Sequence, residues 1–460
     1  MSPDSLGLLD KPALIAIILA QAEQIRVLTG QNTALTARIA ALEARLSLPQ
    51  KTPDNSSLPP SSGQKPNRPA PGKKPRRGRP GVARELDPDP DHVREVYART
   101  CSDCGAALLP ADQPEVHAYD HIDLPPIKPV TTRVNLHRGA CPCCGKRALA
   151  TPPADMPLGS PFGPGIVSLV VYLHACQMVS YSRLVEMLHG LFGLTLSEGA
   201  IANMLARAAT PFAAAGRHIE ATVRAAPVIA SDETSARVAG KTHWQWVFGC
   251  ASAVRHLIAP SRGKAVVTAF LAGARPRVWI SDRLAAQAGH AEQHQYCLAH
   301  LLRDAQYAID DGDTIFAPGF KGLLKRACAI DRRRHGLADS TLAAYRRDLD
   351  RRLDRLLEAS PARAAGMKLR WTIADCRAKL FVFVTRRDVP ATNNVSERAL
   401  RPCVIFRKVT NGFRSAWGAE VYADICSVVA TGRLHGQTAL AAITQALAAG
   451  IETPAPQGVG

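Results

Sequence analysis

Three acidic residues, far apart in the sequence, have the types and settings of divalent-metal ligands. Asp232 and Asp282 each end an apolar run that indicates a strand, Val228-Ile-Ala-Ser-Asp232 and Val278-Trp-Ile-Ser-Asp282. Glu397 stands at the start of a probable helix within Thr392-Asn-Asn-Val-Ser-Glu-Arg. Two strand-borne aspartates and one helix-borne glutamate can hold a pair of Mg²⁺ or Mn²⁺ ions, because these ions prefer carboxylate oxygens. The pattern predicts two-metal phosphoryl transfer.

Basic residues near these acids indicate an anionic substrate. The chain has 57 lysines and arginines against 39 acids, a net charge of +18. Such an imbalance favours a polyanionic partner, which we interpret as double-stranded DNA. Two sets of cations are predicted to contact it: Arg398, Arg401, Arg407 and Lys408 after Glu397, and Arg76, Arg77 and Arg79 within Lys73–Pro80. The second set either enters a narrow minor groove or contacts phosphates without selectivity.

Each acid also has a structural interpretation. Asp232 could form a turn at the end of its strand, and Asp282 could cap a following helix. Glu397 could complete a capping box with Asn394. Glu233 is the obvious rival to Asp232, but strand alternation turns its side chain to the opposite face of the sheet.

The order of the elements predicts an α/β fold of the ribonuclease-H-like type at residues 226–400. Three antiparallel strands, a helix and a further strand are expected between 228 and 281. The interval from Asp282 to Glu397 exceeds the length of an ordinary loop, so it must hold a helical insertion, about 303–380. Asp311 and Asp313 would be the next candidates should Asp282 not be a ligand. A helical region is expected at 401–460.

Two cysteine knuckles precede this domain. Cys101-Ser-Asp-Cys104-Gly and Cys141-Pro-Cys-Cys144-Gly have the spacing that places four thiolates around one structural Zn²⁺. We predict a zinc ribbon at 93–152, with Cys101, Cys104, Cys141 and Cys144 as ligands. Cys143 could substitute, and so could His117, His121 and His137, although histidines of this kind are more commonly ordinary surface residues.

The N-terminal part predicts assembly and flexibility. Apolar residues with a seven-residue repeat indicate a coiled coil at 8–47 that joins copies of the chain, with Asn32 fixing the register; a single amphipathic helix is the alternative. Residues 48–92 form a basic linker rich in Pro, Ser and Gly. Residues 153–225 are helical, and Ser197 could begin a DNA-reading helix or a plain bundle helix. We expect no membrane anchor or cleaved leader, and reduced thiols indicate the cytoplasm.

Cys297 and His300 lie three residues apart on one face of a predicted helix. They could bind metal, but the commoner role for such a pair is packing and hydrogen bonding. We predict that they support the acidic site.

In its order of modules, the chain resembles the DDE transposases of the insertion sequence 66 family along essentially its whole length. The matching features are the heptads, both knuckles and four short motifs: Asn55-Ser-Ser-Leu-Pro-Pro-Ser-Ser62, Asp232-Glu-Thr234, Cys297-x-x-His300 and Asn393-Asn-x-x-Glu397-Arg-x-Leu-Arg-Pro402. The sequence departs from the family pattern at Asp282-Arg-Leu, where Asp-Gly-Tyr is common, and at Thr392, where aspartate is frequent.

The resemblance implies cleavage at transposon ends and strand transfer by Asp232, Asp282 and Glu397. It also implies a bacterial-type, nucleoid-associated protein and accessory proteins encoded by the same element. Two other functions fit the residues: a nuclease that does not join strands, and a zinc-containing DNA-binding regulator that does not cut.

Overall fold

The structure is a computed structural model that describes residues 10–46, 48–56, 58 and 84–452. The predicted DNA contacts Arg76, Arg77 and Arg79 lie outside these residues. The chain divides into two units. Among the described residues, the larger comprises 10–46, 48–56, 58, 159–180 and 202–452, and the smaller comprises 84–158 and 181–201.

The smaller unit contains the two cysteine knuckles and a short hairpin. The second knuckle connects strands β1 (Arg138–Ala140) and β2 (Arg147–Leu149), which pair antiparallel. An isolated bridge between Thr100 and Ala107 brackets the first knuckle in the same way. Helix α3 (Tyr181–Phe192) also belongs to this unit.

A five-stranded mixed sheet organises the larger unit. Its strands are β3 (Val228–Val238), β4 (Lys241–Gly249), β5 (Val254–Ala259), β6 (Val278–Ser281) and β7 (Gln293–Tyr296). Their order in the sheet is β5-β4-β3-β6-β7. Strands β3, β4 and β5 are successive antiparallel neighbours, whereas β6 runs parallel to β3 and β7 parallel to β6. The first strand is therefore central.

Local sequence explains the ends of these strands. Ala239 and Gly240 both adopt positive φ between β3 and β4, the conformation of a tight hairpin turn that glycine favours. Helix α5 (Lys264–Leu271) crosses from β5 to β6, which allows β6 to pair parallel with β3. All four residues of β6 are buried, as expected for a parallel strand covered on both faces.

Helices fill the interval between Asp282 and Glu397. They are α6 (Leu298–Asp310), α7 (Ala317–Arg333), α8 (Asp339–Leu357), α9 (Ala364–Asp375) and α10 (Val382–Thr385). Their apolar faces form one core, which includes the fully buried Phe320, Leu349 and Phe383. Strands β6 and β7 contribute Ile280 and Tyr296 to the same core, so the insertion is packed onto the sheet.

A buried arginine fixes the chain that leaves this insertion. Arg334 is 4% exposed, and its guanidinium donates to the carbonyls of Phe383, Arg386, Arg387 and Val389. The Asp331 carboxylate lies 3.3 Å from its Nε. A buried charge needs such satisfaction, so this contact holds the loop that leads to Glu397 in one place.

The C-terminal helices return to the sheet. Helices α11 (Asn394–Thr410), α12 (Ala416–Leu434) and α13 (Ala439–Glu452) follow one another. Helix α12 lies against β5, where the Ser427 hydroxyl accepts from the His256 amide at 2.8 Å. The chain after α11 lies beside β3, where the Phe413 amide donates to the Arg237 carbonyl at 2.8 Å.

The larger unit also contains the helical segments α2 (Pro164–Val171), its π-helical continuation Tyr172–Cys176, and most of α4 (Glu198–Arg224). At the start of α4, the Ser197 hydroxyl accepts from the Ala200 amide at 3.1 Å. The predicted cap is confirmed, because this bond satisfies one of the free amides of the first turn.

The N-terminal helix α1 (Lys11–Leu46) presents its apolar side chains to solvent. Ile18, Ile25 and Leu35 are each more than half exposed. Its first 29 residues, Lys11–Ile39, are also long and apolar enough to cross a bilayer by length and composition alone.

The linker prediction assumed that the segment after α1 is open throughout, but one of its residues is anchored. Asn55 is 4% exposed, and its amide donates to the Asp310 carboxylate on α6 at 2.9 Å. The same side chain accepts from the Thr52 amide at 2.7 Å. Composition alone misses this anchor because one buried amide is enough to tie down a polar segment.

Candidate active site

Asp232 and Asp282 lie at the same edge of the sheet. The parallel pairing of β3 with β6 places Ala230 opposite Ile280, and each aspartate follows two residues later. Neighbouring strands are about 4.8 Å apart, so this register brings the two acidic positions side by side. The pairing that unites them joins residues about 50 positions apart in sequence.

The Asp232 carboxyl is difficult to ionise in this position. Burial raises its pKa to about 7, and the negative charges of Glu233 and Asp282 act in the same direction. Hydrogen bonding from the Glu233 amide and the positive charge of His300 oppose the rise. A bound cation would remove this electrostatic cost, so the surroundings of Asp232 fit a metal ligand.

Asp282 begins a turn and not a long helix. Its carboxylate accepts from the Leu284 amide at 2.9 Å, and a single 3₁₀ turn, Ala285–Gln287, follows. The alternative that Asp282 caps a helix therefore holds only for this local turn.

Glu397 lies in the first turn of α11, facing α6. Its Oε1 is 3.3 Å from Nε2 of His300. The hydrogen bond from His300 lowers the pKa of Glu397, and Arg303 and Arg401 add to this effect. The capping box is not formed, because Asn394 is already helical and the N-cap is Asn393, with no side-chain capping bond. The Glu397 side chain is thus not engaged in a capping box.

His300 connects the three acids electrostatically. The hydrogen bond to Glu397 is the main reason that its pKa is raised, and the charge of Asp282 acts in the same direction. His300 in turn helps to lower the pKa of Asp232. The three carboxylates thus belong to one neighbourhood, although they are not a set of ligand atoms within 4.8 Å of one another among the described residues.

Asn393 links β3, which carries Asp232, to Cys297 at the start of α6 and to α11, which carries Glu397. It is 2% exposed, its side chain donates to the Ser231 carbonyl on β3 at 2.8 Å, and its amide donates to Sγ of Cys297 at 3.2 Å. Asn393 immediately precedes α11 and Ser231 immediately precedes Asp232. One side chain therefore sets the spacing between Asp232 and the helix that bears Glu397.

Cys297 lies between β6 and the start of α11. It is 1% exposed and stands just before α6, where its amide donates to the Ser281 carbonyl at 2.9 Å. Its sulfur accepts from Asn393, as described above. Cys297 therefore contacts both the strand that ends at Asp282 and the start of α11.

The rival acids are used in packing. Glu233 accepts from Arg262 and, at 2.9 Å, from the Gln287 amide. Asp313 is buried and accepts from the Ile315 and Ala317 amides at the start of α7. Asp311 accepts from the Ala365 amide at 3.2 Å. These three carboxylates satisfy donors within the larger unit.

The basic residues after Glu397 divide into two kinds. Arg398 and Arg401 are exposed on α11, as is Lys408 near its end. Arg407 instead donates to the carbonyl and hydroxyl of Ser235 on β3. The Arg407 guanidinium therefore links α11 to the sheet, and its contact with DNA stays a prediction.

The knuckles have backbone geometry suited to metal-binding cysteines. Gly105 and Gly145 adopt φ of +75° and +71°, and their amides donate to the carbonyls of Cys101 and Cys141. Hydrogen bonds from the amides of Cys104 and Asp103 lower the pKa of Cys101, and the Cys144 and Cys143 amides do the same for Cys141. Thiolate stabilisation of this kind favours Zn²⁺. Among the described residues, no three of the knuckle sulfurs lie within 4.8 Å of one another.

Sequence reasoning missed Asn393, Arg303 and Arg334 as determinants of the site. Asn393 stood in a motif used for recognition, but two adjacent asparagines gave no sign of which one is buried. Arg334 was one of several arginines in an arginine-rich stretch.

Asn393→Ala should lower the free energy of unfolding by about 1–3 kcal/mol, because the buried Ser231 carbonyl loses its donor. The neighbouring Asn394 is exposed, so Asn394→Ala is the matched control and should change stability by less than about 0.5 kcal/mol. Urea denaturation measures both. Equal losses in the two variants would show that the Ser231 contact has no special weight.

Asp232→Asn should stabilise the protein in the presence of a chelator, since it removes a buried carboxyl whose pKa is raised to about 7. An acid with a raised folded pKa destabilises the fold once it is ionised in the unfolded chain. The gain should therefore grow from about pH 4 to pH 7 and stay constant above, reaching a few kcal/mol at most. Thermal unfolding across this range measures it; a gain independent of pH would contradict the raised pKa.

Two family sequence models match the chain. The sequence model of the zinc-finger binding domain of transposase IS66 matches residues 98–145, which include all four predicted zinc ligands. The chain matches no curated protein. The sequence model of the Transposase IS66 family matches residues 159–421, which span the sheet, the helical insertion and α11. This match covers more than half of the chain, which therefore belongs to the IS66 family of transposases.

Proposed function

We propose that the protein cleaves DNA at transposon ends and transfers the cut strand to target DNA, with Asp232, Asp282 and Glu397 as the catalytic triad. The observation that carries this proposal is the parallel β3–β6 pairing, which sets Asp232 beside Asp282 while Asn393 ties α11 to the same strand. The strand order supports a ribonuclease-H-like core, in which a central first strand carries the first acid.

The triad would hold two Mg²⁺ or Mn²⁺ ions. When bound, such ions activate water or a 3′-hydroxyl and stabilise the leaving oxygen. The raised pKa of Asp232 supports this assignment, since crowded acids at a buried edge favour a cation. His300 orients the Glu397 carboxylate from α6, and Asn393 fixes the distance between β3 and α11.

DNA would lie along the exposed basic residues. Arg398 and Arg401 are on the helix that bears Glu397, where they can position a phosphate. Arg76, Arg77 and Arg79 would supply further contacts. The net charge of +18 favours binding to DNA regardless of its base sequence. Zn²⁺ held by Cys101, Cys104, Cys141 and Cys144 has a structural role, because four thiolates leave no open position for substrate.

Oligomer formation is assigned to α1. Isoleucine occupies three a positions of its heptads and leucine four d positions, which favours a two-stranded parallel coiled coil. Two copies would present two active sites to paired DNA ends. We further propose a cytoplasmic, nucleoid-associated enzyme that works with accessory proteins of the same element.

Ile25→Asp should weaken self-association of the full-length protein or make it monomeric, because it places a charge in the apolar seam. Val27→Asp is the matched control, since Val27 is also exposed on α1 but lies outside the seam. Analytical ultracentrifugation measures the mass of each. Wild-type protein that is monomeric, or that floats with lipid vesicles, would contradict the coiled coil.

Asp232→Ala, Asp282→Ala and Glu397→Ala should each reduce metal-dependent nicking of transposon-end DNA by at least about 10³-fold while DNA binding is retained. Glu420→Ala removes an exposed carboxylate from α12 and should cut normally. Nicking and 3′-end joining are followed on labelled duplexes, with binding measured by gel shift.

The outcomes separate the alternatives. Nicking without joining would indicate a nuclease, and binding without metal-dependent nicking would indicate a regulator. Normal nicking by Asp282→Ala would remove Asp282 from the triad.

A further inference from the structure

Three possible metal ligands of a different kind from the carboxylate triad meet beside it. Ligand atoms of Cys297, His300 and Glu397 all lie within 4.8 Å of one another. They come from two elements: Cys297 and His300 from the start of α6, and Glu397 from the first turn of α11. Among the described residues this is the one group of three such ligands at this spacing.

The donor atoms differ from those that Mg²⁺ selects. A thiolate sulfur is a soft donor, an imidazole nitrogen is borderline and a carboxylate oxygen is hard, and Zn²⁺ accepts all three. Mg²⁺ prefers oxygen ligands and is bound poorly by sulfur. Three protein ligands also leave a fourth tetrahedral position open, as in zinc sites that exchange water or another ligand.

The surrounding contacts hold these atoms in place before any ion arrives. Backbone bonds fix the start of α6 on both sides, from the Cys297 amide to the Ser281 carbonyl and from the Leu298 amide to the Ala391 carbonyl, at 2.9 and 3.0 Å. The amide of Asn393 donates to the Cys297 sulfur, which orients it. Ligands held in place in this way lose little conformational entropy when an ion binds.

We propose that Cys297, His300 and Glu397 form a Zn²⁺-class binding site that overlaps the catalytic site through Glu397. Binding converts the Cys297 thiol to a thiolate and releases its proton to solvent, while His300 binds as the neutral imidazole. A Glu397 carboxylate bound to zinc is withdrawn from the Mg²⁺ site. Zinc at this site therefore inhibits cleavage; that inhibition rests on the proposed function, whereas the binding does not.

Zinc content of the full-length protein tests the binding. After equilibration with Zn²⁺ and removal of loosely held ions, wild-type protein should retain about two zinc ions per chain, one in the ribbon and one in the cluster. Cys297→Ser and His300→Gln should each retain about one, since a three-ligand site that loses a ligand binds weakly. Serine can still accept the Asn393 amide, so the first variant keeps the local hydrogen bond.

Matched variants separate the two sites. Cys376→Ser replaces a buried cysteine away from the cluster and should retain the wild-type content. The double variant Cys104→Ser, Cys144→Ser should retain only the cluster ion, and Co²⁺ in its place should give a thiolate-to-cobalt charge-transfer band that Cys297→Ser abolishes in this background. Circular dichroism checks that each variant is folded, and His300→Gln decides the matter should Cys297→Ser unfold.

Two results would overturn the proposed zinc site. One is complete loss of zinc from the double variant Cys104→Ser, Cys144→Ser. The other is a zinc content per chain that equals the wild-type value in both Cys297→Ser and His300→Gln. With the site occupied, Mg²⁺-dependent cleavage should fall in proportion to zinc occupancy. Zinc binding without any loss of cleavage would overturn the overlap at Glu397 alone. Cleavage that survives Glu397→Ala would instead overturn the proposed catalytic role, whatever the zinc content.

Discussion

Repulsion between acidic side chains at one edge of the sheet is the main constraint on the candidate site. Asp232 and Asp282 end neighbouring parallel strands, and Glu233 adds a third negative charge close to Asp232. Burial and this repulsion raise the pKa of Asp232 to about 7. Such an arrangement costs folding free energy, and it persists because the surrounding structure holds it.

Several polar contacts supply that restraint. Glu233 is neutralised by Arg262, whose guanidinium also lies over the Trp244 ring. Glu397 is held by His300, and Asn393 connects β3, Cys297 and α11. Each contact joins segments distant in sequence, so the site is positioned by the whole larger unit rather than by any one motif.

The helical insertion has a mechanical role besides its bulk. Its apolar core covers one face of the sheet near β6 and β7. Arg334, at the end of α7, binds four carbonyls of the chain that leads to Asn393. The insertion thus ends by fixing the approach of α11, although over 100 residues separate Asp282 from Glu397.

Local chemistry in the sequence determined much of this protein. Alternation and turn residues marked β3 to β6, because a strand's periodicity is a property of consecutive residues. The C-x-x-C-G spacing marked both knuckles, and the acids at two strand ends and one helix start marked the candidate triad. Asp282 was proposed from its place at the end of β6 despite its departure from the family pattern, and its role as a ligand stays a prediction.

Only the tertiary structure decided which polar side chains form hydrogen bonds within the fold and which stay exposed. Arg407 and Arg401 stand in one basic helix, yet Arg407 is bonded to Ser235 while Arg401 is exposed. Asn393 and Asn394 are chemically identical, and the fold buries one of them. Asn55, within a polar linker, is anchored to Asp310. These distinctions depend on contacts between residues up to 255 positions apart, which no local periodicity encodes.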